Sequence, residues 1–181
     1  MNRLDDSKGR QIILAGFMGS GKTTVGEHLA LILGRKFVDT DHEVEKKAGM
    51  KVADIFSLRG EAYFRELEAE VVESLSAYPL GTIVVATGGG ILIRVRNREI
   101  LKSCGLLVLL TASPRVILSR TKRQGGRPLL EGQAKPLQKI EQLLAERAPY
   151  YEICDLEVNT TGKNKDQVAW EIINKLNLKP L

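Results

Sequence analysis

Long apolar runs are missing from this chain of 181 residues. No stretch approaches the roughly 20 apolar residues that a membrane-spanning helix needs. The opening residues, Met1 to Arg10, are polar and lack the apolar centre of a secretory signal, so a loose tail (1–10) and a cytoplasmic location are expected. Aromatic residues are scarce, at 5% with a single Trp170. That scarcity argues against the stacking platforms of single-strand nucleic-acid binders. Cysteine is nearly absent too. Cys104 and Cys154 flank apolar stretches and read as buried free thiols rather than a disulfide. Neither zinc-ligand spacing nor a serine nucleophile elbow occurs, and His28 and His42, without partners at metal or triad spacing, read as surface residues.

Acid is missing from one long segment. Residues 100–130 contain no Asp or Glu, yet hold Lys102, Arg115, Arg120, Lys122, Arg123 and Arg127. Over the whole chain 27 basic residues face 22 acidic ones, a surplus of five. A site for an anionic small molecule explains the local cluster more simply than nucleic acid does. Repeats, low-complexity tracts and linkers are also lacking, so residues 11–181 read as one domain with a core of its own.

What the chain does have is a phosphate-binding loop: Gly16-Phe17-Met18-Gly19-Ser20-Gly21-Lys22-Thr23. An apolar strand precedes it (residues 11–15), and a helix with Val25, Leu29, Ile32 and Leu33 at helical spacing follows. Strand, glycine loop and helix in that order aim backbone N–H groups and a helix N-terminus at one point, which suits a polyphosphate. Gly19, Ser20, Gly21, Lys22, Thr23 and Thr24 are therefore the expected nucleotide contacts. Lys22 reaches for the β- and γ-phosphates, and the Thr23 hydroxyl completes a Mg²⁺ shell.

The rest alternates short strands with helices. Strands are expected at 11–15, 36–39, 82–87, 106–110 and 155–158. Helices are expected near 22–33, 42–48, 52–57, 60–76, 94–102, 114–122, 137–147 and 165–176, with Asn164 and Gln167 forming a capping box. That pattern implies a parallel α/β sheet covered on both faces. A Gly- and Pro-containing segment at about 124–135 has no apolar period and reads as a lid.

Several residues could carry chemistry. Asp39 and Asp41 project alike if their strand continues, one holding the metal's water and the other orienting a substrate hydroxyl. The alternative makes Asp41 an N-cap and Asp39 a solvated strand end. Arg65 reads as a surface ion pair or a carboxylate ligand, and Arg147 as a complement to its helix dipole or a second carboxylate ligand. Arg127, on the lid, suits the charge of a transferring phosphoryl group. Arg120, one turn earlier, lies flat on adenine or stays exposed.

These residues, with Ile55-Phe56, Gly60-Glu61, Phe64-Arg65, Glu68, Thr87-Gly88-Gly89-Gly90, Arg127-Pro128-Leu129-Leu130 and Arg147-Ala148-Pro149-Tyr150, occur in the order and spacing of shikimate kinases. The chain resembles that family over about residues 11–176. The resemblance implies a P-loop, nucleoside-monophosphate-kinase-like fold with a five-stranded parallel sheet of order 2-3-1-4-5. It implies transfer of the ATP γ-phosphoryl group to the 3-hydroxyl of shikimate, on the route to chorismate. Under it Asp41 is the base or orienting group, Arg65 and Arg147 grip the carboxylate, and Gly88, Gly89 and Gly90 contact the substrate through backbone. Thr23 ligates Mg²⁺ and Asp39 holds it through water, Arg127 is the lid arginine, and Arg120 packs on adenine. Thr23 stands where serine is common in the family. ATP and shikimate are the expected partners of a monomer, with no nucleic acid and no membrane. The runner-up is another P-loop small-molecule kinase, for gluconate or a nucleotide. A nucleotide-dependent switch is further off, because neither Asn164-Lys165-Asp166-Gln167 nor Asn174-Lys175-Leu176-Asn177 completes the guanine motif.

Overall fold

A computed structural model describes residues 9–124 and 134–181. The expected lid at about 124–135, Arg127 included, lies almost wholly outside the described residues, as does most of the expected tail. Strands β1 (Gln11–Ala15), β2 (Lys36–Asp39), β3 (Ile83–Ala86), β4 (Gly105–Thr111) and β5 (Leu156–Asn159) form one parallel sheet. Its order is β2-β3-β1-β4-β5, the order the family resemblance implies.

β1 lies at the centre and all five of its residues are buried. Its side chains alternate between faces as the strand period demands. Ile12 and Leu14 join Val25, Leu29 and Leu33 of α1 (Lys22–Leu33) and Val168 and Ile172 of α8 (Lys165–Lys175). Ile13 and Ala15 face the opposite layer, with Val72 of α4 (Gly60–Ser74) and Leu101 of α5 (Val95–Cys104). Each fully buried aliphatic side chain contributes about 1.5–3 kcal/mol. The sheet is thus a stiff base, and its carboxyl edge positions the loops.

Two smaller clusters build the walls of the site. Val44 of α2 (Thr40–Ala48) and Ile55 of α3 (Val52–Leu58) pack on Phe64, Leu67 and Val71 of α4. Phe17 packs with Ile117 of α6 (Pro114–Gln124) and Ile140 and Leu143 of α7 (Pro136–Tyr151). The capping box forms: Asn164 Oδ1 accepts from Gln167 N, and Gln167 Oε1 accepts from Asn164 N, both at 2.9 Å.

Some boundaries differ from expectation for local reasons. α4 ends at Ser74 and tightens into a 3₁₀ turn (Leu75–Ala77). A second 3₁₀ turn, Ile91–Ile93, follows the glycine triplet and was not foreseen. α7 continues past Arg147 and through Pro149, which near a helix end removes only one backbone hydrogen bond. His42 is exposed, as expected. His28 is not a surface residue: it is half-buried, with Nε2 2.7 Å from Asp166 Oδ1, and ties α1 to α8.

Candidate active site

The loop of residues 16–21 leaves the end of β1 and enters α1 at Lys22. Gly16 has φ 138°, and a Cβ there would lie 2.3 Å from the Leu110 carbonyl oxygen, so only glycine fits. Lys22 is buried and its Nζ donates to the carbonyls of Gly16 at 2.9 Å and Phe17 at 3.0 Å. Its ammonium therefore sits at the mouth of the loop. Ser20 is fully buried, and among the described residues its Oγ has no hydrogen-bond partner. A cavity of about 330 Å³ opens over this loop, and Gly19, Ser20, Gly21, Lys22, Thr23 and Thr24 all line it.

A brace that the sequence did not reveal holds the loop from behind. Thr160, just past β5, is buried, with Oγ1 3.0 Å from the Ser20 carbonyl and 3.1 Å from the Thr111 carbonyl. That hydroxyl also accepts from Arg120 Nη1 at 2.9 Å, and the same nitrogen donates to the Gly19 carbonyl at 3.1 Å. Arg120 Nη2 donates to the Thr160 carbonyl at 3.1 Å. Arg120 is thus neither exposed nor idle. It lines the nucleotide cavity with its head bonded to the loop, and partial burial lowers its pKa from the ordinary value. Only the spacing of Thr160 after a short strand hinted at this, and that was too weak to read.

Asp39 and Asp41 do not project alike, because β2 stops at Asp39 and α2 starts at Thr40. Asp39, not Asp41, is the N-cap: its Oδ1 accepts from Asp41 N at 3.0 Å and His42 N at 3.4 Å. Its other oxygen, Oδ2, accepts from Thr23 Oγ1 at 2.8 Å. One carboxylate thereby joins the helix cap to the hydroxyl expected at a metal. Asp41, in the first turn, is freed from capping and lines two cavities at once.

The second cavity, about 400 Å³, shares Met18, Asp41 and Gly89 with the first. Val52, Ala53, Phe56 and Phe64 give it an apolar wall, and Arg65 and Arg147 give it two guanidinium groups. Arg65 is no exposed surface pair: its side chain is 17% exposed, bonded to Glu61 and to the buried Glu68, each at 2.9 Å. Burial opposes its charge, and the two glutamates more than offset that, so its pKa is raised. Arg147 reaches from α7 to the glycine triplet. It is buried, donates from Nη1 to the Gly89 carbonyl at 2.9 Å, and stands 4.9 Å from the Phe17 ring centroid.

The glycine triplet is explained by what crowds it. Gly88 N donates to the buried Thr40 Oγ1 at 2.8 Å, and a Cβ at Gly88 would lie 2.5 Å from Asp41 Oδ1. A Cβ at Gly90 would meet two Arg65 nitrogens at 2.9 Å. Gly89 supplies the carbonyl that aims Arg147. The structure therefore brings together every described residue expected at the site. It adds Thr40, Phe17, Thr160 and Glu68, to which the sequence reading gave no role. Glu68 had a signal, three residues after Arg65 on one helix face.

A family model for shikimate kinase matches residues 18–177. The chain belongs to the shikimate kinase family. Curated family members are close over nearly their whole length. The shikimate kinase of Caldanaerobacter subterraneus subsp. tengcongensis is 44% identical over 164 residues, covering 91% of this chain and 94% of its own. That of Geobacter sulfurreducens is 45% identical over 166 residues, covering 92% and 90%. Among solved structures, shikimate kinase from Acinetobacter baumannii in complex with shikimate superposes with a TM-score of 0.86 at 40% identity over 93% of each chain. A gluconokinase from Sinorhizobium meliloti 1021 is 21% identical with a TM-score of 0.54, covering 94% and 93%, and shares the fold alone. The chain is an ATP-dependent kinase of the shikimate kinase type. Among the described residues no helix is long and apolar enough to cross a membrane.

Proposed function

We propose that this chain transfers the γ-phosphoryl group of ATP to the 3-hydroxyl of shikimate, giving shikimate 3-phosphate and ADP. The observation that carries the reading is the meeting of two cavities at Asp41. One is floored by a phosphate loop and the other holds Arg65 and Arg147, the pair that suits a single carboxylate. A nucleotide acceptor would need a base-binding pocket instead, and an uncharged sugar would make no use of the two guanidinium groups in the acceptor cavity.

Binding of the acceptor carboxylate by Arg65 and Arg147 fixes the ring against Phe56 and Phe64. It presents a hydroxyl to Asp41, which orients it and accepts its proton as the bond to phosphorus forms. Lys22 and the loop N–H groups take up charge on the phosphates, and positioning does most of the work. Arg127, outside the described residues, is proposed to add its charge from the lid. Arg120 is proposed to offer the exposed side of its guanidinium to adenine.

Thr23 and Asp39 suit Mg²⁺, since a hydroxyl and a carboxylate are hard oxygen donors, already 2.8 Å apart beside Lys22. No cluster of three or more His, Cys, Asp or Glu that would cage a metal occurs among the described residues. Phosphate oxygens and water would complete the shell of an ion held by these two. When bound, Mg²⁺ neutralises developing charge on the β- and γ-oxygens. A monomer working in the cytoplasm completes the proposal.

The test is coupled ADP release over a panel of acceptors: shikimate, gluconate and nucleoside monophosphates. Turnover confined to shikimate supports the reading. Faster turnover with another acceptor removes it.

A further inference from the structure

Glu68 is a carboxylate with one oxygen used and one left over. Its side chain is 1% exposed, and Oε2 accepts from Arg65 Nη1 at 2.9 Å. Among the described residues Oε1 has no hydrogen-bond partner and touches no solvent. It faces Gly88, where a Cβ would lie 3.0 Å from Glu68 Oε1 and 2.5 Å from Asp41 Oδ1. Two carboxyl groups thus turn towards the same bare backbone position, at the wall of the acceptor cavity.

The charges around Glu68 come from several elements. Arg65 stands on its own helix, together with Glu61, which shares Arg65. Asp41 of α2 acts on it as a like charge, and Arg94, just ahead of α5, as an opposite one. Arg147 from α7, Glu45 from α2 and Lys51 line the same cavity. Burial is the largest influence on Glu68 and raises its pKa; Arg65 opposes that rise and Asp41 adds to it.

This balance changes when an acceptor carboxylate arrives, an event that rests on the function proposed above. Arg65 then serves the ligand's carboxylate as well as Glu68 and Glu61. Glu68 loses part of its counter-charge and gains another anion nearby, while its spare oxygen has no donor to hold the charge. We propose that Glu68 takes up a proton when a carboxylate-bearing acceptor binds. The proton comes from solvent and bonds to Oε1, the only bond made. The neutral carboxyl then donates into the space it shares with Asp41. It leaves Arg65 to the ligand and Asp41 as the charged group beside the acceptor hydroxyl. In the empty enzyme the ionised Glu68 keeps Arg65 partnered.

Calorimetry of shikimate binding in buffers of different ionisation enthalpy measures this directly. The wild-type protein is expected to take up between a fraction of a proton and one proton near neutral pH. Its Kd should weaken as pH rises, by up to about tenfold per pH unit. Uptake should vanish at low pH, where Glu68 already carries the proton. Glu68→Gln, which mimics the protonated carboxyl, should bind with no uptake and a Kd flat across the same pH range. ADP binding, made at the other cavity, reports that this variant is folded. Should it fail to fold, difference infrared spectroscopy of the wild-type protein must still show a protonated carboxyl band appearing with shikimate. Binding without proton uptake, equal uptake in Glu68→Gln, or no such band overturns the inference while leaving the function intact. Absence of shikimate binding overturns the function and the inference together.

Discussion

Thr23 Oγ1 donates to Asp39 Oδ2 across 2.8 Å, while the other Asp39 oxygen caps α2. The hydroxyl proposed for Mg²⁺ and the helix carrying Asp41 are therefore held by one side chain. Replacement of Asp39 by Asn keeps a cap but weakens a metal shell. Asp39→Asn should raise the Mg²⁺ concentration needed for half-maximal rate about tenfold or more, with little change in thermal stability. Titration of turnover against Mg²⁺ at saturating ATP and shikimate measures this, and an unchanged Mg²⁺ requirement would remove Asp39 from the metal site.

Asp41 lines both cavities and is freed from capping. Asp41→Asn should lower kcat by about 10²–10⁴-fold, the range of a lost general base, while ADP affinity stays near wild type. Steady-state rates with calorimetry for ADP separate the two effects. Turnover within threefold of wild type would take the orienting role away from Asp41.

Arg65 and Arg147 should divide along the same line. Each Arg→Ala change loses a charge-assisted hydrogen bond to the acceptor carboxylate, about 1.5–3 kcal/mol. KM for shikimate should rise roughly tenfold to more than a hundredfold, with KM for ATP nearly constant. Arg147→Ala also loses its packing on Phe17, but Arg65→Ala loses its packing on Phe64 and leaves the buried Glu68 without its hydrogen-bond partner, so it should cost the more stability.

Much of this was legible in the sequence because it is local. The glycine loop, β1 and α1 lie within 23 consecutive residues, from Gln11 to Leu33, and their pattern repeats a known physical solution. The sheet order followed from the family resemblance. The parts that were not legible depend on contacts far apart in the chain. Thr160 braces Ser20 across 140 residues, and Gly88 rests on Thr40 across 48. The Asp39–Asp41 geometry was misjudged because α2 begins at Thr40, two residues before the expected start at 42. A cap at Asp39 competes with strand continuation and wins. His28 was misread because its partner, Asp166, comes from another helix.

The Thr160 brace carries its own expectation. Thr160→Val keeps shape but leaves the buried carbonyls of Ser20 and Thr111 and the Arg120 head without that hydroxyl. Stability should fall by about 1–3 kcal/mol, with Tm lower by about 2–4 °C for each kcal/mol. KM for ATP should rise while KM for shikimate holds. Thr160→Ser should restore both, and differential scanning fluorimetry with steady-state kinetics checks the set.

Cys154 offers a pH test of the fold. Burial, then Asp155, pushes its thiol from 9.0 up to about 12, and burial also raises Cys104. A native thiol that holds its proton where the unfolded one releases it stabilises the unfolded chain as pH rises. Stability should therefore decline between about pH 9 and pH 12. Cys104 is buried as expected, whereas Cys154 is half-buried. At neutral pH Cys104 should resist a disulfide reagent until urea unfolds the chain, and Cys154 should react slowly because its thiol keeps its proton. Rapid native labelling of Cys104 would contradict its burial.

The most direct measurement is a crystal structure with shikimate and a non-hydrolysable ATP analogue bound together. The acceptor's 3-hydroxyl oxygen is expected between Asp41 and the γ-phosphorus, about 3–3.5 Å from the latter, with the carboxylate on Arg65 and Arg147. A shikimate whose carboxylate avoids both arginines, or whose hydroxyls all lie beyond reach of that phosphorus, would contradict the account.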